Sequence, residues 1–110
     1  MTIFQKIIDK EIPADVVFED DDVLAFRDIN PQAPTHILVI PKFPIPKLSD
    51  AEQAQKELLG TLMLRVGDIA RQEGLSDYRV VINNGAGAGQ TVFHLHLHIL
   101  AGRLLTWPPG

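Results

Sequence analysis

Apolar and polar positions change period several times along the chain, and each change predicts an element. Thr2-Ile-Phe-Gln5 has the T-x-x-Q form of a capping box, and Phe4, Ile7 and Ile8 follow at helical spacing. That pattern predicts a short N-terminal helix ended by Pro13. Val16–Glu19 and Val23–Arg27 read as short strands joined by Asp20-Asp21-Asp22, a hairpin turn. Three consecutive Asp also raise a cation site, but no second ligand group follows at calcium-loop spacing, which favours a solvated turn. Asp28 to Pro34 is a proline-punctuated loop. Residues 35–40 form a β-branched run bounded by Pro34 and Pro41, which predicts a third strand.

Ser49-Asp-Ala-Glu52 has the S-x-x-E form of a capping box and is expected to open the one long helix. Leu58, Leu59, Leu62, Met63, Val66, Ile69 and Ala70 recur three and four residues apart, giving one stripe for burial. Gly74 follows Arg71 as the expected C-terminal stop. Residues 78–83 predict a strand, 84–89 a glycine-rich turn, and 91–100 another strand. So short a connection implies antiparallel pairing. The fold class expected is α+β: an antiparallel sheet of about five strands, one long helix packed on a face, and a short N-terminal helix. No long linker, internal repeat or charge block divides the chain, so residues 1–110 read as a single domain.

Composition narrows the class. At 110 residues the chain fits one domain and buries roughly two-thirds of its unfolded surface. The absence of cysteine excludes a disulfide framework, a Cys-ligated zinc and a thiol nucleophile. A net charge of −4 argues against a nucleic-acid polymer as partner, though not against one nucleotide in a local pocket. No apolar run approaches the ~18–20 residues of a membrane span, and the N-terminus lacks the continuous apolar stretch of a signal peptide. The expectation is a soluble cytoplasmic protein.

Three of the four histidines fall within five positions. In His94-Leu95-His96-Leu97-His98-Ile99 the alternation is strict. On a strand it sets the imidazoles on one face, lining a surface or cleft, and Leu95, Leu97 and Ile99 on the other, in the core. Two chemistries use such a face. One is a metal centre with an open position for water. The other is attack by a neutral imidazole at phosphorus, with neighbouring imidazoles stabilising charge and protonating the leaving group. The preceding turn, from Asn83 to Thr91, is rich in small residues that let backbone N–H groups approach an anion. An anion cradle serves phosphoryl transfer and is not needed by a metal. His36, on the third strand, is placed to orient one of the other imidazoles. Asp28, where the second strand ends, either accepts the hydroxyls of a ribose or caps the proline-rich loop.

The string Gly89-Gln-Thr-Val-Phe-His94-Leu-His96-Leu-His98-Ile resembles the histidine triad (HIT) motif, His-φ-His-φ-His-φ-φ with φ apolar. Likeness extends through Ile3-Phe4-x-Lys-Ile-Ile, Phe18-Glu-Asp-Asp, Ala25-Phe-x-Asp28-Ile, Pro31-Gln-Ala-Pro-Thr-His36, Val39-Ile-Pro-Lys and the ending Gly102-Arg…Trp107-Pro-Pro-Gly110. Nearly the whole chain is similar to the Hint branch, the purine-nucleoside phosphoramidases. Its third histidine is similar to the hydrolase branches, whereas the transferase branch carries Gln there. The resemblance implies a homodimer whose long helices and strands pair across a two-fold. It also implies hydrolysis of purine nucleoside phosphoramidates or aminoacyl-adenylates, with no metal and no cofactor.

By position, the resemblance makes His96 the nucleophile, forming a covalent nucleotidyl-imidazole. His98 and His94 would bind the phosphate and assist the leaving group, with His36 supporting His94. Ile3, Phe4, Ile7, Phe26 and Ile29 would enclose the purine, and Asp28 would hold the ribose. Asn83, Gly89, Gln90, Thr91 and the adjoining Val92 would take the phosphate end, and Trp107 would approach the partner's site. Thr91 stands where Ser is common, and Asn84 replaces an acidic residue, which bears on leaving-group preference. Two rivals stay open on the residues alone: a metal-dependent hydrolase using His94, His96 and His98, and a nucleotide-binding scaffold with incidental hydrolysis.

Overall fold

The computed structural model describes all 110 residues. Five antiparallel strands form one sheet, with a helix against each face. In chain order these are α1 (Ile3–Ile8), β1 (Val16–Glu19), β2 (Val23–Arg27), β3 (Thr35–Pro41), α2 (Lys56–Gln72), β4 (Arg79–Val81) and β5 (Leu97–Ala101). Sheet order is β1-β2-β3-β5-β4, so the last strand inserts between β3 and β4. This is the α+β architecture expected from the sequence. No helix is long and apolar enough to cross a membrane.

Both helices stop by the same device. Beyond α2, Gly74 takes φ +71°, its N–H reaching the Arg71 carbonyl while the Leu75 N–H reaches that of Ala70. Beyond α1, Lys10 takes φ +63°, with matching bonds from Lys10 to Ile7 and from Glu11 to Lys6. These are Schellman caps, which satisfy carbonyls the helix leaves free. The stop for α1 therefore lies at Asp9 and Lys10, upstream of Pro13. At its start, Thr2 Oγ1 accepts the Gln5 N–H at 3.1 Å. The Gln5 side chain instead donates to Asp9, so only half of the expected box forms.

The long helix starts later than expected. Leu48–Asp50 and Gln53–Gln55 are single 3₁₀ turns, and the reciprocal capping box joins Glu52 and Gln55. Ser49 caps nothing; its N–H donates to Asn84 Oδ1 at 2.8 Å. Leu62, Val66, Ile69 and Ala70 form the buried stripe, while Met63, expected within it, is 55% exposed beside the more exposed Leu64.

Asp20 explains the hairpin. Its Oδ1 accepts the N–H groups of Asp22 and Val23, and its Oδ2 accepts Arg65 from α2. Those bonds commit the first Asp of the triplet to turning the chain and anchoring the helix.

Alternation divides the strands between two cores. Val23, Ala25, Ile37, Val39, Leu97 and Ile99 face α2 and pack on Leu62, Val66 and Ile69. Leu24, Phe26, Leu38 and Ile40 face the other way and pack on Phe4 and Ile7 of α1. Each fully buried Leu or Ile contributes about 1.5–3 kcal/mol relative to exposure. The register sets Leu38 opposite His98 and His36 opposite Leu100. His36 and His98 are thus diagonal neighbours on the α1 face, within reach of ring contact.

Candidate active site

On the α1 face a cavity of about 320 Å³ opens between α1, the segment 12–14, the end of β2 and the histidine segment. Ile3, Phe4, Ile7, Phe26 and Ile29 supply apolar walls, and Asp28, Thr91, Val92, His96 and His98 also line it. Those are ten of the sixteen residues singled out from the sequence. Its volume is at the small end of the ~300–1,000 Å³ usual for small-molecule sites, and the mix of apolar walls with a few convergent polar groups is typical of them.

The triad is not one continuous strand. Only His98 lies in β5; residues 91–96 run as irregular chain. Burial nevertheless keeps the alternation, with Leu95, Leu97 and Ile99 all in the α2-side core. The imidazoles separate by role. His94 is 1% exposed, its Nε2 is 2.7 Å from the Pro41 carbonyl, and it does not line the cavity. Its backbone carbonyl lies 2.8 Å from His96 Nδ1. A carbonyl only accepts, so His96 Nδ1 carries the proton and its unpartnered Nε2 offers a lone pair to the cavity. Phe4 stands edge-on to that ring, with centroids 5.0 Å apart and planes at 90°.

His36 supports His98, not His94 as the resemblance implied. The Gln32 N–H donates to His36 Nδ1 at 3.0 Å, so the His36 proton must sit on Nε2. That Nε2 lies 2.9 Å from His98 Nδ1 and 3.5 Å from Asp28 Oδ2. It donates to the nearer His98, whose own proton is then on Nε2. His98 Nε2 is buried and has no partner within the protein.

All four imidazoles are biased toward neutrality. Burial pushes His98 down to about 4, reinforced by His96 and His36 beside it and opposed by Asp28. Burial also lowers His96, against the His94 carbonyl and the Asp28 charge. His94 and His36 are lowered chiefly by burial as well. A neutral ring is what a nitrogen nucleophile requires.

Asp28 caps the proline-rich loop, one of the two roles its position offered, and turns its other oxygen toward His36: Oδ1 accepts the Asn30 N–H at 2.8 Å, while Oδ2 faces His36. The glycine-rich turn has a different internal logic from a simple cradle. Gly85 and Gly89 take φ of +95° and +100°, conformations open to glycine. Gln90, only 3% exposed, accepts the Gly85 N–H and donates to the carbonyls of Pro46 and Val92. Its own N–H and that of Gly89 bond back into the turn. Gln90 and Gly89 therefore build the turn and lie outside the cavity lining, as does Asn83, whose amide packs beside Gly89. Thr91 and Val92 are the segment's residues in the cavity wall. Trp107 is 82% exposed and does not line this chain's own cavity.

Sequence reasoning missed Ile12, Pro13, Ala14, Arg27 and Leu38 in the lining. Leu38 was recoverable, since alternation puts it on the face of His36. Residues 12–14 carry no periodic signal. Arg27 reaches the lining while its guanidinium pairs with Glu73 and Asp15.

A metal does not fit the triad. The one group of three ligand-bearing side chains with donor atoms within 4.8 Å of one another is Asp28, His36 and His98. There His36 Nε2 and His98 Nδ1 already bond each other, and a shared ion would have to break that bond.

The HIT domain family matches residues 9–105. An uncharacterized HIT-like protein of Synechocystis is 60% identical over 110 residues, spanning 99% of this chain and 96% of its own. A maize protein named as a 14 kDa zinc-binding protein is 58% identical over 112 residues, spanning 99% of this chain and 88% of its own. Among solved structures, a HIT family hydrolase from Legionella pneumophila superposes with a TM-score of 0.96 at 53% identity, covering both chains fully.

Proposed function

This chain belongs to the HIT domain family, and from that premise we propose that it is a nucleotide hydrolase. Its substrates are purine nucleoside phosphoramidates, or related nucleoside monophosphate esters and anhydrides such as aminoacyl-adenylates. The fold is that of HIT family hydrolases. The observation that carries the reading is His96: Nδ1 anchored on the His94 carbonyl, Nε2 facing the cavity, ring neutral.

His96 Nε2 attacks the α-phosphorus. The P–Nε2 bond forms as the P–N bond of the substrate breaks, and the amine departs with the electron pair and one proton. His98 Nε2–H hydrogen-bonds the departing nitrogen. It supplies no net proton, because His36 behind it is neutral with a single proton on Nε2 and could pass that proton forward only by becoming an anion. The amine's proton therefore comes from solvent. Water then attacks phosphorus, the P–Nε2 bond breaks, His96 returns neutral, and the water's proton is released, so the two steps balance. Splitting the displacement this way uses one imidazole twice.

The apolar walls Ile3, Phe4, Ile7, Phe26 and Ile29 suit a purine, and Asp28 Oδ2 suits a ribose hydroxyl. His94 holds the nucleophile from behind. Val92 and Thr91 flank the phosphate, the Thr91 hydroxyl donating to it. Asn83, Gly89 and Gln90 hold that end through the turn they build.

The reading extends to a cytoplasmic homodimer formed of one domain over 1–110, with Trp107 reaching the partner's site. Met63 and Leu64 on α2, Val80 on β4, Leu104 and Trp107 are exposed apolar side chains that such an interface would cover. A stable monomer at micromolar concentration in analytical ultracentrifugation overturns the dimer. The test of the function is single-turnover mixing with an adenosine phosphoramidate, followed by mass detection of nucleotidyl-His96. Turnover without any such adduct rejects the mechanism.

A further inference from the structure

Behind His98 runs a chain of hydrogen bonds that ends in the C-terminal segment. Arg103 Nε donates to the Gln32 carbonyl at 2.9 Å, and its second guanidinium nitrogen donates to the Leu104 carbonyl at 3.1 Å. The Gln32 N–H meets His36 Nδ1, and His36 Nε2 meets His98 Nδ1. The chain turns back over the proline loop just after β5: Thr35 pairs with Ala101, and Gly102 takes φ +96°. A Cβ on Gly102 would stand 2.8 Å from Pro34 Cβ, so the two segments are in tight contact.

We propose that Arg103 and Gln32, the latter through its backbone N–H, are positioning residues that fix the tautomer of His36 and, through it, hold the one proton of His98 on the cavity-facing Nε2. A backbone N–H cannot accept, so it forces His36 Nδ1 to be the acceptor. Each later proton position follows from the one before it. Arg103 bonds the Gln32 carbonyl, one peptide plane beyond the plane that carries the Gln32 N–H, and so restrains the Gln32 backbone from its C-terminal side. The planar fork of Arg, bonded at two points, resists rotation. The C-terminal segment thereby sets the donor that meets the substrate. This rests on the hydrolase reading for its kinetic consequence, but not for the tautomer.

The test uses the full-length ¹⁵N-labelled protein and long-range ¹H–¹⁵N correlation spectra at neutral pH, which report which ring nitrogen of each histidine is protonated. Native protein shows His36 and His98 both as the Nε2–H form. Arg103→Ala shows His98 as a mixture of tautomers, and Arg103→Lys, keeping the charge but not the fork, shows a smaller admixture. If Arg103→Ala fails to fold, Arg103→Lys and Gln32→Pro, which deletes the N–H, carry the same reading. In the kinetic arm, kcat of Arg103→Ala falls about tenfold on an adenosine phosphoramidate of an aliphatic amine. It falls less than about twofold on the nitrophenyl ester of adenosine monophosphate, whose leaving group needs little help, and KM is unchanged. His98 wholly in the native tautomer in these variants, or an equal loss on both substrates, overturns the proposal. The spectra need no turnover, so an inactive protein leaves this inference testable while rejecting the hydrolase reading.

Discussion

His36 Nε2 lies 2.9 Å from His98 Nδ1, joining imidazoles 62 residues apart on the paired strands β3 and β5. Because His36 Nδ1 is already bonded by the Gln32 N–H, the proton between the rings belongs to His36. His98 is left with one proton, on a buried nitrogen that no protein group meets. The site is thus built to offer one lone pair, from His96, and one donor, from His98, to the same cavity.

His96→Ala removes the lone pair. Turnover is expected to fall by at least about 10³-fold, while the apolar walls and Asp28 keep nucleotide binding within about threefold. Rapid-quench kinetics and calorimetric titration with a nucleoside monophosphate measure the two halves. A variant turning over at the native rate refutes the mechanism.

Acid should destabilise the fold in a defined window. In the unfolded chain histidine titrates near its ordinary ~6.5, whereas His98 in the fold is held at about 4 by burial. The unfolded state therefore binds more protons between those values. Stability is fully present above about 6.5 and is lost as pH falls toward 4. For His98 alone this amounts to about 3 kcal/mol, and His36, His94 and His96 shift the same way. Urea midpoints measured from pH 7.5 to pH 4 check it; His98→Asn should flatten the slope.

Gln90→Ala should damage the fold more than the chemistry. It strips partners from the Gly85 N–H and the carbonyls of Pro46 and Val92. A cost of about 2–3 kcal/mol follows, lowering Tm by about 10 °C. Calorimetric scanning reads the stability. A large loss of binding with an unchanged Tm would instead make Gln90 a direct ligand.

Phe4→Leu keeps most of the buried volume but loses the edge contacts to His96 and Phe26. It should cost about 1–1.5 kcal/mol of stability and, with the freed ring the proposed nucleophile, lower kcat more than it raises KM. Steady-state kinetics with an adenosine phosphoramidate separates the two parameters; a change confined to KM would limit Phe4 to the purine wall.

Turnover should survive prolonged chelation. The triad nitrogens do not converge, and of the three side chains that do converge, His36 and His98 bond each other. Activity lost on dialysis against a chelator and restored by zinc would establish the metal-dependent alternative.

Local physics made much of the molecule legible in advance. β1 and β2 follow from short β-type runs around an Asp turn, and the His-Leu alternation separates core from site even where residues 91–96 leave regular strand geometry. The period-two pattern survives there because Leu95 must still reach the α2-side core. Capping was less transparent: Ser49-x-x-Glu52 has the letters of a box, but Asn84 takes the Ser49 N–H and Glu52 forms the box with Gln55.

The sequence by itself determined which side chains are chemically able to act: no thiol, a histidine cluster, a strand-end aspartate. Tertiary structure decided which of them meet. Insertion of β5 beside β3 sets His36 against His98, not His94, and seating α1 on the second face brings Phe4 to His96. These are pairings between segments far apart in the chain, fixed by sheet order and register, and no local period encodes either.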